Sequence, residues 1–269
     1  MKSATLICPY TSHGIKSVAP MCGITQGISN FVNRKFNCVI IVSFYFRFNG
    51  VINYLKNLVQ LIFSPTRGWE DLETDEKREF LAYRNSRLEH YGGTEGASFH
   101  NETRQWEERE SARQFRFGFL PCIAVCACSS FVKMLYNGGP GFLGALQMAI
   151  ITFVSLFLAT QSARYAFSVY MPRLCGKTGL DDGGYSKGRS MLMIMYCLTF
   201  LGLITLVANI VKVRIALIEF LPLYVVFIIW KGWKFVGVEE RNLGLFMIMA
   251  TVSILGSAYL VSFLLNAII

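Results

Sequence analysis

Four long stretches of the chain hold no charged residue: Phe117–Val132, Met134–Ala163, Ser190–Val211 and Asn242–Ile269. As a helix, an apolar run of about 18 or more residues crosses the roughly 30 Å hydrocarbon core of a bilayer. The pattern predicts an all-α, polytopic membrane protein with about five transmembrane helices. They fall at about Phe117–Tyr136, Phe142–Ala163, Ser190–Val211, Ile215–Trp230 and Leu243–Ile268. The turn Asn137-Gly138-Gly139-Pro140-Gly141 makes the first two a helical hairpin. Lys133, in the last turn of the first span, is placed to snorkel to the surface. The fourth span is short. Glu219 stands near its start and Pro222 within it, where a proline is expected to kink or loosen a helix. No fixed-period repeat accompanies the spans.

Upstream the pattern changes. In Val51–Phe63, residues Val51, Ile52, Leu55, Leu58, Val59 and Ile62 line one helical face, and Asn53, Lys56, Asn57 and Gln60 the other. This spacing predicts a helix either lying at a membrane surface with its apolar face down or packed on another protein helix. Ser64 is a good N-cap and Pro65 suits a first helical position, where its missing N–H would be unpaired anyway. Trp69 is expected to anchor at the bilayer–water boundary. From Glu70 to Glu110 the chain is charged, with helices expected near Asp75–His90 and Glu102–Gln114. Gly92-Gly93 separates them and Asn101 caps the second. A solvated, partly flexible juxtamembrane region is the expectation. The first 48 residues lack any period and read as a poorly ordered extension from a misassigned start. The domain plan is therefore 1–48 extension, 49–116 amphipathic and charged juxtamembrane region, and 117–269 transmembrane domain.

Charge then sets the orientation. Twelve of the 17 acidic residues lie between Asn53 and Arg116, so the net +9 belongs to the N-terminus and the membrane loops. With the N-terminus inside, the five-span plan puts 12 basic residues near span ends on the cytoplasmic side and 2 on the far side. Basic loops stay cytoplasmic, so the C-terminus is expected on the far side. Lys56 and Arg67 can reach anionic headgroups, which makes anionic lipid an expected partner. The basic balance comes without a nucleic-acid-binding motif, so no nucleic-acid partner is expected.

The chemistry on offer is thin. Cys122 and Cys126 share a helix face, but zinc wants four ligands and no His follows His100, so simple packing is the expected role. No disulfide framework, P-loop, HExxH or GxSxG is present. A serine or cysteine nucleophile in the membrane half would lack a histidine base. Neither an enzyme nor a bound cofactor is expected. Asp181-Asp182 beside Gly183-Gly184 reads as a solvated turn. Within the spans the candidates are Arg214, Glu219 and Pro222, because intramembrane charge is by default functional. Glu219 also suits the positive N-terminal end of its helix.

Leu61-Ile62-Phe63-Ser64-Pro65-Thr66-Arg67-Gly68-Trp69-Glu70-Asp71 resembles the motif that precedes about five spans in bacterial members of the Yip-one (Ypt/Rab-interacting protein) family. Leu221-Pro222-Leu223-Tyr224-Val225-Val226, followed by Trp230-Lys231-Gly232, is similar to that family's later-span pattern. The resemblance singles out Ser64, Pro65, Gly68, Trp69 and Glu70. It implies a non-enzymatic scaffold, adaptor or membrane-organising protein in a bacterial plasma or inner membrane, with membrane or cytoplasmic protein partners still to be identified. The charged insert around Thr74–Arg113 is longer than the family pattern. The alternative is a small transporter or channel subunit that uses Glu219, Arg214 and Pro222.

Overall fold

A computed structural model of the chain describes residues 50–91, 99–136, 141–175, 186–211 and 220–268. The described helices belong to one compact unit, Arg47–Ile269. The expectations for the N-terminal extension, Gly92-Gly93, Asp181-Asp182, Arg214 and Glu219 fall outside the described residues.

Every element among the described residues is helical. α1 covers residues 50–63. α2, Pro65–Tyr91, and α3, Phe99–Gln114, are polar. A π-turn at Phe115–Phe119 carries α3 into the apolar α4, Leu120–Tyr136. Gly141, at φ +83°, opens α5, Gly141–Leu174. Next comes α6, Lys187–Ile210. A 3₁₀ turn at Leu221–Leu223 leads into α7, Tyr224–Lys231, and a short α8, Trp233–Val236, follows. α9, Leu243–Thr251, continues through a second π-turn into α10, Ser257–Ile268.

Among the described residues, four helices are long and apolar enough to cross a membrane: Glu102–Tyr136, Gly141–Leu174, Lys187–Ile210 and Glu240–Leu265. These fit an integral membrane protein. The fourth sequence-predicted span is described only as the shorter apolar helix Leu221–Lys231. Pro222 sits in the 3₁₀ turn that opens α7, where an absent N–H costs little.

α6 is the centre of the bundle. Protein covers 67% of its apolar window, against 17% for Glu240–Leu265. Its unbroken apolar sequence has no polar face to offer solvent, as a helix surrounded by other helices requires. At 1.5 Å per residue, the 34 residues of α5 run about 51 Å, well beyond the hydrocarbon core. Its last turns lie at the end of the bundle where α6 begins. There the Asn242 amide donates to the Leu174 carbonyl (3.0 Å). Deeper in, Ser257 Oγ donates to the Ala159 carbonyl (3.2 Å) and Ser262 pairs with Ser155 (2.6 Å), so α10 runs antiparallel to α5.

The charged segment is more ordered than the sequence implied. α2 begins ten residues before the expected Asp75, at Pro65, and α3 begins at Phe99, which places Asn101 inside its first turn. Trp69, Leu72, Glu76 and Phe80 recur at helical spacing on the buried face of α2. Buried Glu107, Glu110 and Ser111 form the matching face of α3. A β-carbon on Gly188 would lie 2.6 Å from the Glu107 carbonyl oxygen. Glycine there lets the backbones of α3 and α6 meet.

Candidate functional site

Two features meet at the end of the bundle where α6 begins: the corner between α1 and α2, and a buried ionic cluster between α2, α3 and α6. The corner is built by the motif residues. The Ser64 N–H donates to the Gln60 carbonyl, and the Ser64 carbonyl accepts from the Gly68 N–H, both at 2.8 Å. Pro65 is buried in the first turn of α2. A β-carbon on Gly68 would sit 2.9 Å from Leu61 Cδ2 and 3.0 Å from Leu61 Cα, so only glycine lets α2 fold back this tightly on α1. Glu70 is exposed, and its carbonyl accepts from the Thr74 hydroxyl (2.8 Å).

Trp69 corrects the sequence expectation of a membrane-boundary anchor. It is only 3% exposed. Its indole N–H donates to the Ile228 carbonyl (3.1 Å), and its ring packs on Phe235 (4.9 Å) and edge-on to Tyr196 (6.3 Å). A β-carbon on Gly232 would lie 2.9 Å from its ring. The physical reason is local. Gly232 ends α7 and removes the side chain that would keep an indole away, and a carbonyl of the last turn of α7 supplies the partner a buried indole N–H requires. Trp69 and Gly232, far apart in sequence, are thus in contact.

α1 has three faces where the sequence suggested two. Tyr54, Leu58 and Leu61 are buried against the bundle. Tyr54 stacks on Tyr196 (4.7 Å), and its hydroxyl pairs with Thr199 (2.8 Å). Ile52, Leu55, Val59 and Phe63 form an exposed apolar stripe. Asn53 and Lys56 are exposed beside it. At about 100° per residue the two exposed sets point roughly 85° apart, and each points more than roughly 120° from the buried one. Leu58, assigned to the single apolar face with Leu55 and Val59, belongs instead to the protein-facing one.

The ionic cluster was not anticipated. Arg189 Nε lies 3.1 Å from Glu76 Oε2 and 3.1 Å from Glu107 Oε1, with Glu73 at 4.0 Å from Nη1. Nη1 also donates to the Phe235 carbonyl (3.5 Å), and the guanidinium stands 5.6 Å over the Phe235 ring. Ser186 ties the helices together. Its Oγ caps α6 by accepting from the Arg189 N–H (3.2 Å), and it donates to Glu107 Oε2. Next to it, Glu110 accepts from Arg113 (2.7 Å) and Gln114 (3.2 Å), and Gln114 accepts from the Tyr196 hydroxyl (3.1 Å). One signal for the cluster was present in the sequence: Glu76 interrupts the apolar spacing Trp69–Leu72–Phe80. Nothing marked Arg189 apart from other loop cations.

Neither Glu76 oxygen has an aligned hydrogen-bond donor among the described residues, and Arg189 Nε does not point along the line to either carboxylate. Charge, more than hydrogen bonding, holds the pair. Burial pushes the Glu76 carboxyl up from 4.5 to about 7. Arg189 pulls it down, and Glu107, Glu73 and Glu110 push it up further. A carboxyl raised in the folded state binds its proton more tightly there than in the unfolded chain. Its stabilising effect is full below about pH 4.5 and is lost as pH rises through 7. At about 1.4 kcal/mol per pKa unit the swing is on the order of 3 kcal/mol. We expect α2 to resist limited proteolysis better at pH 5.5 than at pH 8, and Glu76→Gln to flatten that difference.

Cys122, Cys126, Cys175 and Cys197 are buried free thiols, and no group of three metal-ligating side chains occurs among the described residues. No protein-family model, characterised protein or solved structure matches the chain. The Yip-one resemblance therefore rests on its two motif segments.

Proposed function

We propose that the protein is a non-enzymatic scaffold or adaptor of the Yip-one type, in which the membrane bundle carries α2 and α3 as a fixed, charged cytoplasmic platform. The observation that carries this reading is Arg189, one cation of the central helix joined to a glutamate on each platform helix. A platform tied in this way holds its outward charges, Asp71, Asp75, Arg78, Arg104 and Glu108, at a fixed height over the bilayer. The contact of Trp69 with Gly232 favours the family reading, since each residue comes from one of the two motif segments.

Orientation and membrane follow the same reading. Arg173, Lys187, Lys231 and Lys234 share the platform's end of the bundle, which favours a cytoplasmic platform. Val211 closes α6 at its other end, whereas Phe235 lies beside Arg189. These two described points lie at opposite ends of α6, which supports a fifth crossing with α7 as its inner part. α1 then lies at the cytoplasmic surface, with Ile52, Leu55, Val59 and Phe63 in the acyl boundary and Lys56 toward anionic headgroups. A bacterial inner membrane is the location the resemblance favours.

The test is affinity capture in mild detergent, with the full chain and an Asp71→Lys/Asp75→Lys variant. A protein partner held by the natural chain and lost at least about tenfold in the variant is the expected result. Equal capture by both forms would count against the platform. Ion or solute flux in proteoliposomes that Glu219→Gln abolishes would instead favour the transporter reading.

A further inference from the structure

At the opposite end of the bundle, α4 and α6 part to leave a cleft of about 790 Å³. Small-molecule sites span about 300–1,000 Å³. Its walls are apolar, with Val125, Val132, Leu206 and Ile210, and its polar members are Ser129, Lys133 and Asn209. Lys133 Nζ donates to Asn209 Oδ1 (3.0 Å), and Asn209 Nδ2 donates to Ser129 Oγ and Ser130 Oγ (both 3.1 Å). Thr152 Oγ1 on α5 donates to Ser130 Oγ (3.1 Å). Three helices thus cooperate to fix one ammonium group. Its contact uses the acceptor of Asn209, so the group turned to the cleft is a donor. No carboxylate lies within ion-pair distance of Lys133 among the described residues.

Lys133 stands exposed at the mouth of an apolar cleft with no counter-charge among the described residues, so an anionic group from outside the chain is its natural complement. We propose that this cleft binds one anionic phospholipid, with its headgroup phosphate on Lys133 and an acyl chain between α4 and α6. Depth argues for a lipid over a free anion. Lys133 is in the last turn of α4, at headgroup level, while Val125 is about 12 Å deeper at 1.5 Å per residue. Val125 is 57% and Ile210 66% exposed, so the cleft's walls face the space that acyl chains fill. Lys133, expected from the sequence to snorkel to the surface, also has a partner in Asn209.

The test uses the full chain in mild detergent, delipidated, with lipid adducts counted by native mass spectrometry. Phosphatidylglycerol and phosphatidylcholine with the same acyl chains are the probes, with inorganic phosphate as competitor. The natural chain is expected to prefer phosphatidylglycerol by about tenfold, because both lipids bring the same phosphate and only phosphatidylcholine adds a choline cation that offsets its charge and is repelled by Lys133. Lys133→Gln should erase the preference and Lys133→Arg keep it. Val125→Trp, which fills the cleft and leaves Lys133 in place, should lose the adduct. An unchanged preference in Lys133→Gln, or retention of the adduct in Val125→Trp, would overturn the site. Displacement of the lipid by inorganic phosphate would overturn the lipid assignment and leave a simple anion site.

Discussion

Arg189→Ala should destabilise the protein by about 3–5 kcal/mol, the usual cost of stranding a buried charge by removing its partner. Two carboxylates, Glu76 and Glu107, would lose their cation together, in a setting where both are more than nine-tenths buried. The damage should be regional first. α2 and α3 should lose protection from proteolysis before the spans do, because α6 is also held by its wide apolar contacts. Adding Glu76→Gln should recover part of the loss, since it removes one of the stranded charges. Arg189→Lys should recover part of the loss, since it keeps the charge that holds the pair but gives up the Phe235 carbonyl contact and the guanidinium's place over the Phe235 ring. Thermal unfolding in detergent, followed on these three variants, checks the order.

Trp69→Ala should cost about 3–5 kcal/mol, as removal of a large buried aromatic does. It would empty the space against Phe235 and Gly232 and leave the Ile228 carbonyl with the Gly232 N–H as its remaining donor. Trp69→Phe keeps one aromatic ring but removes the N–H and the rest of the five-membered ring, so a smaller loss of about 1–3 kcal/mol is expected. An indole lying at the lipid boundary would behave otherwise. Its replacement by phenylalanine would leave the melting temperature almost unchanged, and alanine would alter lipid association more than unfolding.

The membrane-crossing helices were legible because uncharged length is a one-dimensional signal. Ser190–Val211 needed no partner to be recognised, and α6 covers almost the same residues. Pro65 was legible for the same reason, as a local punctuation mark that opens α2. What the sequence hid was pairing across distance. Trp69 looks like an interfacial residue until Gly232, 163 positions later, supplies the surface it packs on. The face of α1 was divided wrongly because Leu55 and Leu58 are equally apolar. Only the neighbouring Tyr196 and Thr199 decide that Tyr54 and Leu58 turn inward. The polar α2 and α3 read as solvated because their buried face is itself charged, and burial of Glu76 and Glu107 makes sense only once Arg189 stands between them. Lys133 was read from its position alone, and Asn209 on another helix adds a partner.

α2 and α3 form one body with the membrane bundle. Amide hydrogen exchange on the full chain in lipid nanodiscs tests this most directly. Exchange should be slow across residues 68–80 and 103–114, within about tenfold of the α6 amides, and faster in those two segments alone when Arg189 is replaced by alanine. Exchange of residues 68–80 and 103–114 at the rate of unstructured chain in the natural protein would contradict it.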